Sequence, residues 1–121
     1  MYAVSHIHVF CHDLENMIEF WTKALHAEFV CRKEFGGKPG AVVHCGGVEF
    51  CLKQDNEAAE AQPCAVGMNH IGFFVKDIHK EADRLIQQFG CSLSKAPEGK
   101  PFLFLRGPEG LIVELQQDQP E

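Results

Sequence analysis

The sequence predicts an α+β fold built from two tandem βαβββ repeats, and three observations predict it. Sliding the chain by 64 positions lays HIHVFCHDL (6–14) over HIGFFVKDI (70–78), matching His6 with His70, Ile7 with Ile71, Phe10 with Phe74 and Asp13 with Asp77. Each stretch is a short apolar run that ends in Asp and gives way to helical periodicity. Three strand-like runs then follow in each half.

In the first half the opening strand runs to Cys11, and Asp13 is a good helix N-cap. Leu14, Met17, Ile18, Trp21 and Leu25 form the apolar stripe of the helix. Strands are expected over 28–35, 41–45 and 48–54, punctuated by a GGKPG turn and a GG break. In the second half Asp77 caps a helix whose stripe is Ile78, Ala82, Leu85, Ile86 and Phe89. Strands are expected over 91–95, 101–106 and 111–116, with PEGKP and GPEG turns between them. Residues 55–67 are acidic, Ala-rich and end in Pro and Gly, so they read as a linker between repeat one (4–54) and repeat two (68–117) of a single domain, 1–121. Each repeat is marginal as an independent domain. The two must share a core or exchange elements with a partner chain.

Composition narrows the class. The chain is 45% hydrophobic and 23% charged, with a net charge of −6 and scattered Lys and Arg. That distribution offers no footprint for nucleic acid or an anionic membrane. No apolar run approaches the roughly 18 residues of a membrane span, and the start lacks a secretory signal pattern, so a cytoplasmic location is expected. The six cysteines (Cys11, Cys31, Cys45, Cys51, Cys64 and Cys91) include no C-x-x-C pair and read as reduced, mostly buried thiols.

Strand alternation assigns faces. Ile7, Val9 and Cys11 turn toward the helix, leaving His6, His8 and Phe10 opposite; Ile71, Phe73 and Val75 likewise leave His70, Gly72 and Phe74. In the last strands Glu49 falls between Val48 and Phe50, and Glu114 between Val113 and Leu115. Each half therefore offers one His and one Glu on the face away from the helix. His6, Glu49, His70 and Glu114 make a mixed nitrogen and oxygen donor set suited to one divalent ion: Ni²⁺, Zn²⁺, Co²⁺, Mn²⁺ or Fe²⁺. Four such ligands on an octahedral ion leave two positions for water or substrate. His8 and Phe10, with Phe74, are expected to line the substrate pocket. His12, His26 and His79 read as surface groups, and His44 is unassigned.

The whole chain resembles the vicinal oxygen chelate superfamily, which includes glyoxalase I, methylmalonyl-CoA epimerase, extradiol dioxygenases, fosfomycin-resistance thiol transferases and metal-free bleomycin-binding proteins. HIHVFCHDLENMIEFWTKAL is similar to the family's opening strand and helix, and RGPEGLIVEL to its closing P-(D/E)-G-x-x-x-E-L signature. The resemblance implies an open, curved mixed sheet around a central site, paired into a barrel-like cavity within one chain or across a homodimer. Dioxygenases and fosfomycin enzymes carry two His and one Glu, matched by His6, His70 and Glu114. Glu49 completes a set similar to the His-Glu-His-Glu of glyoxalase I.

On that pattern the resemblance implies a glyoxalase-type lyase or isomerase. Its substrate is a small vicinal dioxygen compound such as a 2-oxoaldehyde thiol adduct, deprotonated to a metal-stabilised enediolate. Glu114 is the leading base, with Glu49 a ligand and second base. Arg32, Lys33, Lys38, Lys100 and Arg106 are candidates to meet a substrate carboxylate, Arg106 foremost. The turns are short and LHAEF stands where glyoxalases usually have Leu-Gly-Met, so glutathione itself is weakly supported. The alternatives are a metal-free small-molecule binding protein and an Fe-dependent ring-cleaving dioxygenase.

Overall fold

The computed structural model describes residues 2–59 and 66–118. Cys64 and the rest of 60–65, the middle of the expected linker, lie outside them. The chain divides into two compact units, Met1–Ala59 and Glu60–Glu121.

In the first unit β1 (Ile7–Cys11) leads into α1 (Leu14–Glu19), followed by β2 (Glu28–Phe35), β3 (Lys38–Cys45) and β4 (Val48–Gln54). The second repeats the plan with β5 (Ile71–Val75), α2 (Ile78–Phe89), β6 (Ser92–Lys95), β7 (Phe102–Arg106) and β8 (Ile112–Gln117). Each unit forms an open four-stranded mixed sheet, ordered β1-β4-β3-β2 and β5-β8-β7-β6. In both, the first strand pairs in parallel with the last, and the remaining pairs are antiparallel. Residues of the unit's helix cover one face of each sheet.

Both caps form as expected. Asp13 accepts from the Asn16 backbone N–H at 3.0 Å, and Asp77 from those of His79 and Lys80 at 3.1 Å each. The first helix departs from the expected stripe. After Glu19 it widens into a π-turn over Phe20–Ala24, closed by Leu25 N–H donating to Phe20 O at 3.2 Å. The Thr22 hydroxyl donates to Ile18 O at 2.8 Å, a side-chain bond that competes with the helical ladder. The wider turn rotates the apolar face: Phe20, Trp21 and Ala24 are buried, while Leu25 is only partly covered. Trp21 is fully buried, and its ring centroid lies 4.5 Å from that of Phe50. The core behind the first sheet is completed by Leu14, Met17, Ala41, Val43 and Leu52; its counterpart contains Ile78, Ala82, Leu85, Leu103, Leu105, Val113 and Leu115.

The β2–β3 turn is tighter than the expected GGKPG. Gly36 and Gly37 alone make it, with φ of 59° and 79°, the left-handed pair a two-residue hairpin needs. β3 therefore starts at Lys38 and includes Pro39. There β3 is paired only with β2, because its ladder with β4 begins at Gly40, so no hydrogen bond is lost to the missing N–H. Outer strands β2 and β6 each carry a register irregularity, between Phe29 and Cys31 and between Leu93 and Lys95, which interrupts an otherwise regular exposed edge.

Candidate metal centre

In the second unit, the parallel ladder sets Gly72 opposite Glu114. His70, two residues before Gly72, shares the same face, and its Nε2 lies 3.2 Å from Glu114 Oε1. Glu114 is largely withdrawn from solvent, its side chain 13% exposed, while His70 stays open to it at 32%. Gln116 Nε2 donates to the same Oε1 at 3.2 Å. Asn69 Oδ1 sits 2.8 Å from His70 Nδ1; in the tautomer that carries its proton on Nδ1, that oxygen accepts it and Nε2 turns its lone pair toward the carboxylate. Two acceptors at this distance call for a proton or a cation between them. Ligand bonds of about 2.0–2.2 Å at right angles place donor atoms about 3 Å apart, so the pair fits adjacent positions around a divalent ion.

Glycine at 72 is what makes room. A Cβ there would stand 3.0 Å from Glu114 Oε1, tighter than ordinary contact. Phe104 packs its ring edge-on to His70 at 5.0 Å and meets Phe102 at 5.9 Å. Phe74 is paired with Gln116, and Arg106 with Ile112, so both share the face that carries Glu114. Phe74 is exposed, as is Arg106.

In the first unit, His8 stands opposite Cys51 and Phe10 opposite Lys53, whose ammonium lies 5.5 Å from the Phe10 ring centroid. The ligand atoms of His6, His8 and Cys51 all lie within 4.8 Å of one another. The His6 and His8 rings meet edge-on at 5.3 Å, and His8 meets Phe35 at 4.9 Å. Ser5 Oγ lies 2.9 Å from His6 Nδ1, the same device that Asn69 provides for His70. Burial, followed by the charges of His6, Lys53 and Lys33, pulls the His8 imidazole below its ordinary value. The Cys51 thiol is pushed up, first by burial and then by Glu49 and Cys31, with Lys33 opposing.

The ladder revises the expected equivalence of Glu49 and Glu114. Since His8 matches Gly72, and their rung partners are Cys51 and Glu114, the first-unit counterpart of Glu114 is Cys51. Glu49 lies on the same face but two residues earlier, opposite His44, whose Nε2 is 3.1 Å from Glu49 Oε1. Alternation found the correct face because its period is two, and for that reason could not detect a slip of two. The side chains compensate in size across the rung: imidazole beside thiol in one unit, glycine beside a long carboxylate in the other.

Other expectations resolve locally. His12 is not a free surface group: its Nε2 lies 2.7 Å from Ala58 O. Arg32 forms a two-pronged bond to Glu15 at 2.6 and 2.8 Å, and Lys38 pairs with Asp55 at 3.0 Å, so both are already engaged. The place of Cys51 on the rung that matches Glu114, the Gln116 bond and the polar residue before His6 and before His70 escaped sequence reasoning. The last had a visible signal, since Ser5 and Asn69 are related by the repeat offset.

Two open mixed sheets of βαβββ plan define the fold class, and one of them carries a histidine–carboxylate pair on its helix-free face. Residues 3–115 match the family model of the Glyoxalase/Bleomycin resistance protein/Dioxygenase superfamily, and the chain belongs to that superfamily. Among solved structures it is similar to the fosfomycin resistance protein FosX of Mesorhizobium loti, at 18% identity over 98% of this chain and 94% of that one, with a TM-score of 0.75. A glyoxylase/bleomycin resistance protein/dioxygenase domain from Frankia sp. gives 16% identity, 98% and 99% coverage and a TM-score of 0.79. A mutant FosX of Listeria monocytogenes, complexed with Mn(II) and 1S,2S-dihydroxypropylphosphonic acid, gives 16%, 98%, 94% and 0.79 for the same quantities. No curated protein matches. At these identities the solved structures establish the fold.

Proposed function

We propose that the protein is a divalent-metal-dependent lyase or isomerase of the glyoxalase type, acting on a small vicinal dioxygen substrate such as a 2-oxoaldehyde thiol adduct. The observation that carries this reading is the 3.2 Å approach of His70 Nε2 and Glu114 Oε1, with Asn69 fixing the ring and Gly72 clearing space for the carboxylate. His70 and Glu114 are ligands, and the repeat supports His6 as a third. Glu49, bonded to His44, is available as a further ligand or second base only by leaving that partner. An ion held by these residues would supply positive charge to an enediolate.

Glu114 takes the carbon-bound proton and returns it to the neighbouring carbon. Gln116 holds the carboxylate by its Oε1, leaving the other oxygen to move the proton. Phe74 and Phe104 present apolar surface beside the pair, and Arg106 offers a cation to a substrate carboxylate. His8 and Phe10 contribute the corresponding lining on the first unit's face.

The test is metal analysis of protein purified without chelator, followed by turnover of methylglyoxal with a panel of thiols. Stoichiometric metal is expected, and Glu114→Gln should lose about 10²-fold or more in kcat. Protein that takes up no Ni²⁺, Zn²⁺, Co²⁺ or Mn²⁺ would instead be a metal-free binding protein. A second reading is favoured by Cys51 on the rung that matches Glu114, which leaves the two-His-one-Glu set of His6, His70 and Glu114. That is the pattern of a ring-cleaving dioxygenase, and oxygen uptake with Fe²⁺ across catechols would select it.

The functional form is a homodimer. Half-domains this small are marginal alone, and exposed Phe10, Phe29, Val30 and Phe74 are apolar surface that a second chain would cover. Sedimentation equilibrium should give twice the chain mass, and a monomer at micromolar concentration would refute it.

A further inference from the structure

We propose that the first unit carries a thiolate metal site of its own, formed by His6, His8 and Cys51 and selective for a borderline or soft ion such as Zn²⁺ or Co²⁺. His6 has one nitrogen to give, so it serves either this site or the reading above; His8 and Cys51 belong to this one alone.

Three features point to it. The donor atoms of the three side chains already lie within 4.8 Å of one another. Tetrahedral bonds of about 2.0–2.3 Å put ligand atoms about 3.3–3.8 Å apart, so side-chain rotation closes the set without moving the strands. The backbone also holds the partners in register: His8 and Cys51 are opposite each other on a parallel ladder, the same rung that joins Gly72 to the Glu114 carboxylate. Finally, each ring is braced. Ser5 Oγ meets His6 Nδ1 at 2.9 Å and Phe35 packs edge-on against His8 at 4.9 Å, leaving a defined nitrogen of His6 for the ion.

The donor types fix the ion class. Cys51 is 4% exposed and His6 and His8 are exposed, so an ion arrives from the histidine side and meets the sulfur last. A thiolate with two imidazoles favours Zn²⁺ and Co²⁺ over Mn²⁺ or Mg²⁺, whereas a carboxylate at the same rung would not discriminate in this way. Binding converts the Cys51 thiol to thiolate and releases its proton to solvent.

The experiment titrates the reduced, metal-stripped, full-length protein with Co²⁺ and follows near-ultraviolet absorption. A thiolate-to-cobalt charge-transfer band is expected in the wild type, lost in Cys51→Ser, Cys51→Ala and His8→Ala. It should be retained in Cys31→Ser and Glu114→Gln. No band in the wild type, its survival in both Cys51 variants or in His8→Ala, or its loss in Cys31→Ser or Glu114→Gln, would overturn the proposal. Circular dichroism establishes that each variant is folded, and the wild-type result does not depend on any of them. Turnover by Glu114→Gln reports on the proposed reaction separately.

Discussion

At the scale of single residues, Glu114 depends on an absence. Gly72 has no side chain to crowd the carboxylate, and the added methyl of Gly72→Ala would meet Oε1 at 3.0 Å. The carboxylate would shift by a few tenths of an ångström from His70. Gly72→Ala is therefore expected to weaken metal binding at this pair while leaving the melting temperature nearly unchanged, as read by isothermal titration with Mn²⁺ and by calorimetry. Unaltered affinity would show that the pair tolerates displacement. Gly40 is the contrasting case: a Cβ there would lie 2.4 Å from Phe35 and 2.7 Å from the Leu52 carbonyl. Because one of those neighbours is backbone, Gly40→Ala should destabilise the first unit by roughly 1–3 kcal/mol in urea unfolding.

At the scale of elements, the two helix starts test how far the repeats are energetically alike. Asp13 satisfies one backbone N–H and Asp77 two. Asp13→Ala and Asp77→Ala should each cost about 0.5–2 kcal/mol. An unchanged midpoint in chemical denaturation would mean that the cap does not hold that helix start. Helix positions, caps and strand spans were legible because hydrophobic period, Asp and Gly are local signals. The π-turn at Phe20–Ala24 was not, because it reflects the packing of Phe20 and Trp21 into one core together with the Thr22 bond to Ile18.

For the whole molecule, buried thiols couple stability to alkaline pH. Burial pushes Cys45 and Cys91 above their ordinary value. The unfolded chain loses its thiol protons first, at about pH 8.5, so the native state binds more protons above that point. This contribution is fully present below the ordinary thiol range and is lost as pH rises toward the raised native values. The melting temperature in reductant should fall between about pH 8 and 10, and Cys91→Ala should flatten that fall. An identical slope in the variant would remove Cys91 from the account.

The sequence by itself determined the two-fold βαβββ plan, the superfamily, the capped helices and the helix-free face on which His6, His8, His70 and Glu114 stand. Those follow from periodicity and from a repeat written in residue types. Only the tertiary structure decided the register between the first and last strand of each unit, because that pairing joins segments more than forty residues apart across a connection whose length differs between repeats. A slip of two residues preserves every face and every apolar contact pattern, so nothing local marks it. Backbone hydrogen bonding resolved it, setting Cys51 opposite His8, leaving Glu49 to His44, and keeping Glu114 beside His70.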